Sequence, residues 1–221
     1  MKKKGGTHTP RTQFNTSLAR KLGLTTLEVR LFKKLSTPKK IQDFLNSLPN
    51  NLEKNGESLC SVRESLNRQT FHCIEGALIA ALALYLHGKT PFILDMRATK
   101  EDDDHVVVPF KVNVYWRIIS KSNRSVLRYR DPIYKTIREL MMSYAHEYFL
   151  PNGKKTFKEY SLPFDLKKAT HINWVSSRGD LWELSKLLDA LPHIPVLPKH
   201  NPSLRKVDPI ELEANKLKEY Y

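Results

Sequence analysis

Cysteine is scarce: the 221-residue chain has two, Cys60 and Cys73. Two thiols cannot hold together a disulfide scaffold, and the twelve residues between them do not match the paired Cys-x-x-Cys spacing of a zinc site. Long apolar runs are also missing. The longest, residues 77–86, is about half of the roughly 20 residues a membrane-spanning helix needs. The basic start Met1-Lys2-Lys3-Lys4 leads into polar residues where a secretory signal would be apolar. No membrane partner and a cytoplasmic, reducing location are the expectations. Nor is there an internal repeat, a long low-complexity segment, or a second His to turn His146-Glu147 into a metalloprotease motif. No metal and no cofactor are expected.

Acidic residues are in deficit, 23 Asp+Glu against 37 Lys+Arg, for a formal charge of +14. Such a balance attracts acidic partners or nucleic acid, but it reports steering and solubility, not chemistry. What is present is enough apolar material, 40% of residues, for one ordered domain. Residues 1–15, basic with Gly5, Gly6 and Pro10, read as a flexible arm, and residues 16–221 as a single α+β domain whose core is about 60–135.

Thr37-Pro38 predicts a helix with Ile41, Phe44, Leu45 and Leu48 on one face, ending near Pro49. A short helix with Val62, Ser65 and Leu66 follows the Asn-rich segment 49–58. Residues 73–86 read as a helix apolar on nearly all sides with a stop at His87-Gly88, which belongs in the centre of a fold. Residues 91–94, 105–110 and 112–119 read as antiparallel strands. Asp131-Pro132 predicts another capped helix, closed by Pro151-Asn152-Gly153. Residues 161–174 read as irregular, 180–191 as helical and 192–202, with four prolines, as extended or turning, and Asp208-Pro209 opens a last helix.

Cys73 opens the apolar helix, where unpaired backbone N–H groups and the positive end of the helix dipole are expected to lower a thiol pKa and to hold a developing oxyanion. His105, first in a strand after the acidic turn Asp102-Asp103-Asp104, is placed to take the thiol proton and return it to a leaving group. The elements Cys73-Ile74-Glu75-Gly76, Asp104-His105-Val106-Val107-Val108-Pro109-Phe110, Trp116 and Ser120-Lys121-Ser122-Asn123 resemble, in their order and spacing, the transglutaminase-like, papain-related cysteine proteins. Among these the chain looks most like a group of bacterial transglutaminase-like proteins, over about residues 60–135. The resemblance implies a central helix packed on an antiparallel sheet, with additional helices at both ends, and a Cys/His acyl-transfer site with Cys73 as nucleophile and His105 as base.

The family pattern puts an orienting Asp about four residues after the strand tryptophan, and here that position is Ser120. Asn123 is the first candidate for third member, Ser120 the second and Asp131 the third, with Asp95 a more distant carboxylate. Asp131 is equally explained as a helix cap, and Asp102, Asp103 and Asp104 as a solvated turn. Gln69 is a weak oxyanion candidate, Glu75-Gly76 reads as helix packing, and Tyr115, Trp116 and Tyr129 read as core or cleft walls. Lys121, Arg124, Arg128 and Arg130 form a basic run, either paired or free to bind anions. Two functions follow: a cysteine hydrolase, peptidase or acyltransferase acting on a protein, peptide or small amide, or a non-catalytic module of the same fold holding an acidic partner or, less favoured, nucleic acid. Hydrolysis and transfer both fit these residues.

Overall fold

The computed structural model describes residues 13–52, 57–197 and 204–217. Its helices are α1 Thr16–Lys21, α2 Thr26–Lys34, α3 Pro38–Asn46, α4 Val62–Arg68, α5 Cys73–Leu86, α6 Ile137–Met142, α7 Trp182–Asp189 and α8 Pro209–Asn215. Its strands are β1 Phe92–Ala98, β2 His105–Val112, β3 Tyr115–Ile119, β4 Arg130–Tyr134, β5 Phe157–Ser161, β6 Phe164–Asp165 and β7 His193–Pro195. The strands pair antiparallel in the order β4-β3-β2-β1-β5-β7, and β6 adds to the start of β1. The architecture is α+β. No helix among the described residues is long and apolar enough to cross a membrane.

The sheet carries a core on each face. Strand alternation sends Ile93, Val106, Val108 and Phe110 to one side, where α5 lies, and Leu94, Met96, Val107 and Ile118 to the other, against Leu140, Met141 and Tyr144 of the α6 region. Residues 75–84 of α5 are all buried, so a helix without a polar face becomes the centre of the first core. Each fully buried leucine or isoleucine there contributes about 1.5–3 kcal/mol over its exposed state. Gly76 lets α5 approach the segment after β3, because a Cβ at this position would stand 2.6 Å from the Lys121 Cβ.

Local caps account for several boundaries. Thr37 Oγ1 accepts the Lys40 N–H ahead of Pro38, as expected, and Asp208 with Glu211 forms a capping box at α8. Thr25 with Glu28 does the same for α2, which the sequence reading had not placed. The expected helix at Asp131-Pro132 is instead β4. Pro132 lacks an N–H and is tolerated on this edge strand, while α6 starts five residues later, where Thr136 accepts the Glu139 N–H. That helix also ends at Met142, well before Pro151. Residues 1–12 of the expected arm lie outside the described residues. Its last residues are docked: the Phe14 ring meets His87 edge-on at 5.4 Å and the Asn15 N–H donates to the Leu86 carbonyl.

Candidate active site

A cleft of about 510 Å³ opens where the start of α5 meets the ends of β1 and β2, and its walls include Cys73, Asp95, Asp104, His105, Asn123 and Tyr148. Glu75 fixes the entry to α5. Its buried carboxylate accepts the His72 N–H and the Cys60 N–H, each at 2.8 Å, tying the approach to α4 onto the first turn of α5. Cys73 is half-buried and forms part of the cleft wall. Burial pushes the thiol up to about 11, against a smaller downward pull from the backbone N–H groups of Val106 and Ile74. The expected lowering by the helix start is thus overturned, since loss of water outweighs two N–H donors. Cys60 is higher still, about 12, from burial and the nearby Glu75 carboxylate.

His105 is buried, and this holds its ring down at about 4, helped by the charge of Arg124. Across β1 it faces Met96, so it belongs to the α6 side of the sheet while Cys73 enters from the α5 side; the two line one cleft at the strand ends. Nε2 of the ring lies 2.9 Å from Ser120 Oγ, and Ser120 Oγ donates to the Leu127 carbonyl at 2.8 Å. A hydroxyl has one proton. With it committed to Leu127, Ser120 accepts from His105 Nε2–H, leaving the Nδ1 lone pair as the basic site of the neutral ring.

The residue on the ring is therefore Ser120 and not Asn123, which lines the cleft close by. Ser120 is itself held by Gln42, which accepts its N–H at 3.0 Å and donates to its carbonyl at 2.7 Å. Asp131 is far from this role: it sits on β4 with a side chain 74% exposed, 3.6 Å from Arg117. Gln69 takes a left-handed conformation (φ 57°) after α4, its amide donates to the Leu66 carbonyl of the same helix, and it is not a cleft wall. Tyr115, Trp116 and Tyr129 do not line the cleft either: Tyr115 is exposed, Lys111 lies over Trp116 at 4.7 Å, and Tyr129 carries Arg117.

The basic run is internally satisfied. Lys121 is buried and donates to the Leu48 carbonyl, Arg124 pairs with Asp102 at 2.5 Å and lies over the Tyr148 ring, Arg128 donates to the Arg124 carbonyl, and Arg130 binds Ser143 and Glu147. Asp102 is accordingly no solvated turn residue, since its buried carboxylate is committed to Arg124. Among the described residues, oxygens of Asp95, Asp104 and Asp189 lie within 4.8 Å of one another, the only such acidic group that a cation would fit; Arg97 already bridges Asp95 and Asp189. Sequence reasoning missed His193, the partner of Asp95, which no local spacing announces.

No family model matches the chain, and no curated protein matches it.

Proposed function

We propose that this protein is a cysteine-dependent acyl-transfer enzyme of the transglutaminase-like, papain-related type, acting on an amide of a protein, a peptide or a small molecule. The observation that carries this reading is that Cys73, at the start of α5, and His105, at the start of β2, line one cleft, with the His105 Nε2 committed to Ser120 and its Nδ1 lone pair left as the base. The resting pair is a neutral thiol and a neutral imidazole. Proton transfer from one to the other is uphill, so it accompanies bond formation between the sulfur and the acyl carbon, and N–H groups at the start of α5 receive the oxyanion. A high thiol pKa makes simple alkylation a poor probe, because alkylators report the resting thiolate.

An acylating probe reads the reaction itself. p-Nitrophenyl acetate is expected to release a stoichiometric burst of p-nitrophenolate and to leave one acetyl group on Cys73, located by mass spectrometry. Cys73→Ala removes the burst and His105→Ala slows it by about 10²–10⁴-fold. Acetylation elsewhere, or equal rates without His105, overturns the assignment.

A second reading, a non-catalytic module of this fold, draws on the hydroxyl that replaces a carboxylate at Ser120. Its expected anion-binding surface is weakened by the pairing of Arg124 and Arg130 with Asp102 and Glu147.

A further inference from the structure

Ile119, paired with Val108, closes the β2–β3 ladder, and Ser120 is the first residue beyond it. A buried peptide group must still find partners. The buried side chain of Gln42 in α3 supplies both, its Oε1 accepting the Ser120 N–H at 3.0 Å and its Nε2 donating to the Ser120 carbonyl at 2.7 Å. Because a backbone N–H only donates and a carbonyl only accepts, the Gln42 amide has one orientation here. Asn46, one turn further along α3, fixes it a second time by accepting from the same Nε2 at 2.9 Å.

The next residue is gripped from two sides. The Lys121 amine donates to the Leu48 carbonyl just past α3, and a Cβ on Gly76, three residues after Cys73 in α5, would lie 2.6 Å from the Lys121 Cβ. One dipeptide is thus tied to α3 and abuts the first turn of the helix that Cys73 opens.

The Ser120 hydroxyl has one proton and two groups within reach that can take it, the Leu127 carbonyl at 2.8 Å and the His105 Nε2 at 2.9 Å. Given to Leu127, the proton satisfies a buried carbonyl and leaves Oγ to accept from Nε2–H, with Nδ1 as the base. Given to Nε2, it puts the ring proton on Nδ1, and the neutral ring has no lone pair left outside this contact. Which of the two holds depends on where the backbone sets Oγ relative to the Leu127 carbonyl.

We propose that Gln42 is a positioning residue of the site: through the backbone of Ser120 it keeps the hydroxyl on Leu127 and so selects the His105 tautomer that leaves Nδ1 as the base. Gln42 is not a wall of the cleft, so it acts through Ser120 and not on a substrate. Its effect on rate rests on the acyl-transfer reading of Cys73, whereas its effect on the tautomer does not.

Nitrogen-15 NMR of the His105 ring, assigned against His105→Gln, reads the tautomer, and acetylation of Cys73 by p-nitrophenyl acetate reads its consequence. In the unmodified protein at pH 7 the ring is expected to carry its proton on Nε2. Ser120→Ala gives the signature of a ring released from the hydroxyl. Gln42→Met keeps the side-chain length and loses both bonds to Ser120; it is expected to move the ring nitrogens toward the Ser120→Ala values and to slow acetylation by about 10-fold or more. In the Ser120→Ala background the same substitution is expected to leave the ring shifts where they are and the rate within about 2-fold, because a residue that acts through Ser120 has nothing left to act on. Equal slowing in both backgrounds, or ring nitrogens unmoved by Gln42→Met, shows Gln42 to be packing support for α3 alone and overturns the proposal. Asn46→Ala, at an exposed position, removes the second acceptor of the Gln42 amide and is expected to move the ring nitrogens the same way by a smaller amount. It replaces Gln42→Met should that variant not fold, and the same outcomes then overturn the proposal. If the ring responds as expected while the unmodified protein takes no acetyl group at Cys73, the positioning of His105 stands and the acyl-transfer reading falls.

Discussion

Ser120 and Asp95 perform the same geometric task on opposite sides of one cleft, each meeting the Nε2 of a histidine at 2.9 Å. Their chemistry diverges at the second ring nitrogen and at the charge of the partner. Around His105 the partner is a neutral hydroxyl and Nδ1 is left as a lone pair, so the ring is oriented without being charged. Around His193 the partner is a carboxyl and Nδ1 is spent on the Leu191 carbonyl, so neither ring nitrogen is left to act as a base. Burial acts on both, lowering the His105 pKa and raising the Asp95 pKa. One dry environment thus favours the neutral imidazole on one side and the neutral carboxyl on the other, because desolvation penalises the charged form of each.

The largest expected effect follows from that opposition. The folded-state pKa of His105 is about 4 against an ordinary value of 6.5, so between those pH values the unfolded chain binds a proton that the native site refuses. Stability from this group is complete above the ordinary value and is lost as pH falls through the window, by up to about 3 kcal/mol. Asp95, with its pKa raised, has the opposite sign: its contribution is complete below the ordinary carboxylate value and declines as pH rises through the raised one. Urea unfolding of the unmodified protein and of His105→Gln at pH 7 and pH 4.5 is expected to show the variant losing less stability on acidification. Parallel losses would mean that His105 is not held neutral by burial.

A medium effect comes from making the two sides alike. Ser120→Asp places a carboxylate on His105 Nε2, which should raise the ring pKa by one to three units and move it toward the state of His193. The Leu127 carbonyl loses its donor, and a stability cost of about 1–3 kcal/mol is expected. NMR titration of the His105 ring checks the first point and thermal unfolding the second. An unmoved pKa would show that the partner at Nε2 does not govern the ring.

How much of this was legible in the chain depends on the range of the cause. The run 77–86, the start of α5 at Cys73 and the helix opened by Asp208-Pro209 are local signals, and the structure has all three elements. The Thr25/Glu28 box that opens α2 is equally local. Thr37-Pro38 and Asp131-Pro132 carry the same cap-and-proline signature, yet the first opens a helix and the second lies in a strand, because pairing with the free edge of β3 is a tertiary gain that the dipeptide does not encode. The site divides the same way. Cys73 and His105 stand at element starts and could be picked out, whereas Asp95 and His193 are 98 positions apart and are brought together only by the order β1-β5-β7. The thiol pKa departs from the expected lowering for a related reason: the dipole of a helix start can be read locally, but the burial that outweighs it depends on everything that packs around the cysteine.

The smallest expected effect concerns Asp131, the carboxylate nearest in sequence to Ser120 yet outside both regions. Its one ion pair, to Arg117 at 3.6 Å, joins a side chain 17% exposed to one 74% exposed. In water such a pair contributes between nothing and about 1 kcal/mol, because screening and side-chain entropy offset the attraction. Asp131 caps no helix and touches no cleft residue, so Asp131→Ala has neither a backbone N–H to release nor an imidazole to disturb. A stability change within about 0.5 kcal/mol is expected by urea unfolding, together with an unchanged rate of Cys73 acetylation by p-nitrophenyl acetate. A fall in that rate of 10-fold or more would move the third member of the site from β2–β3 to β4 and would break the contrast between the hydroxyl side and the carboxyl side of the cleft.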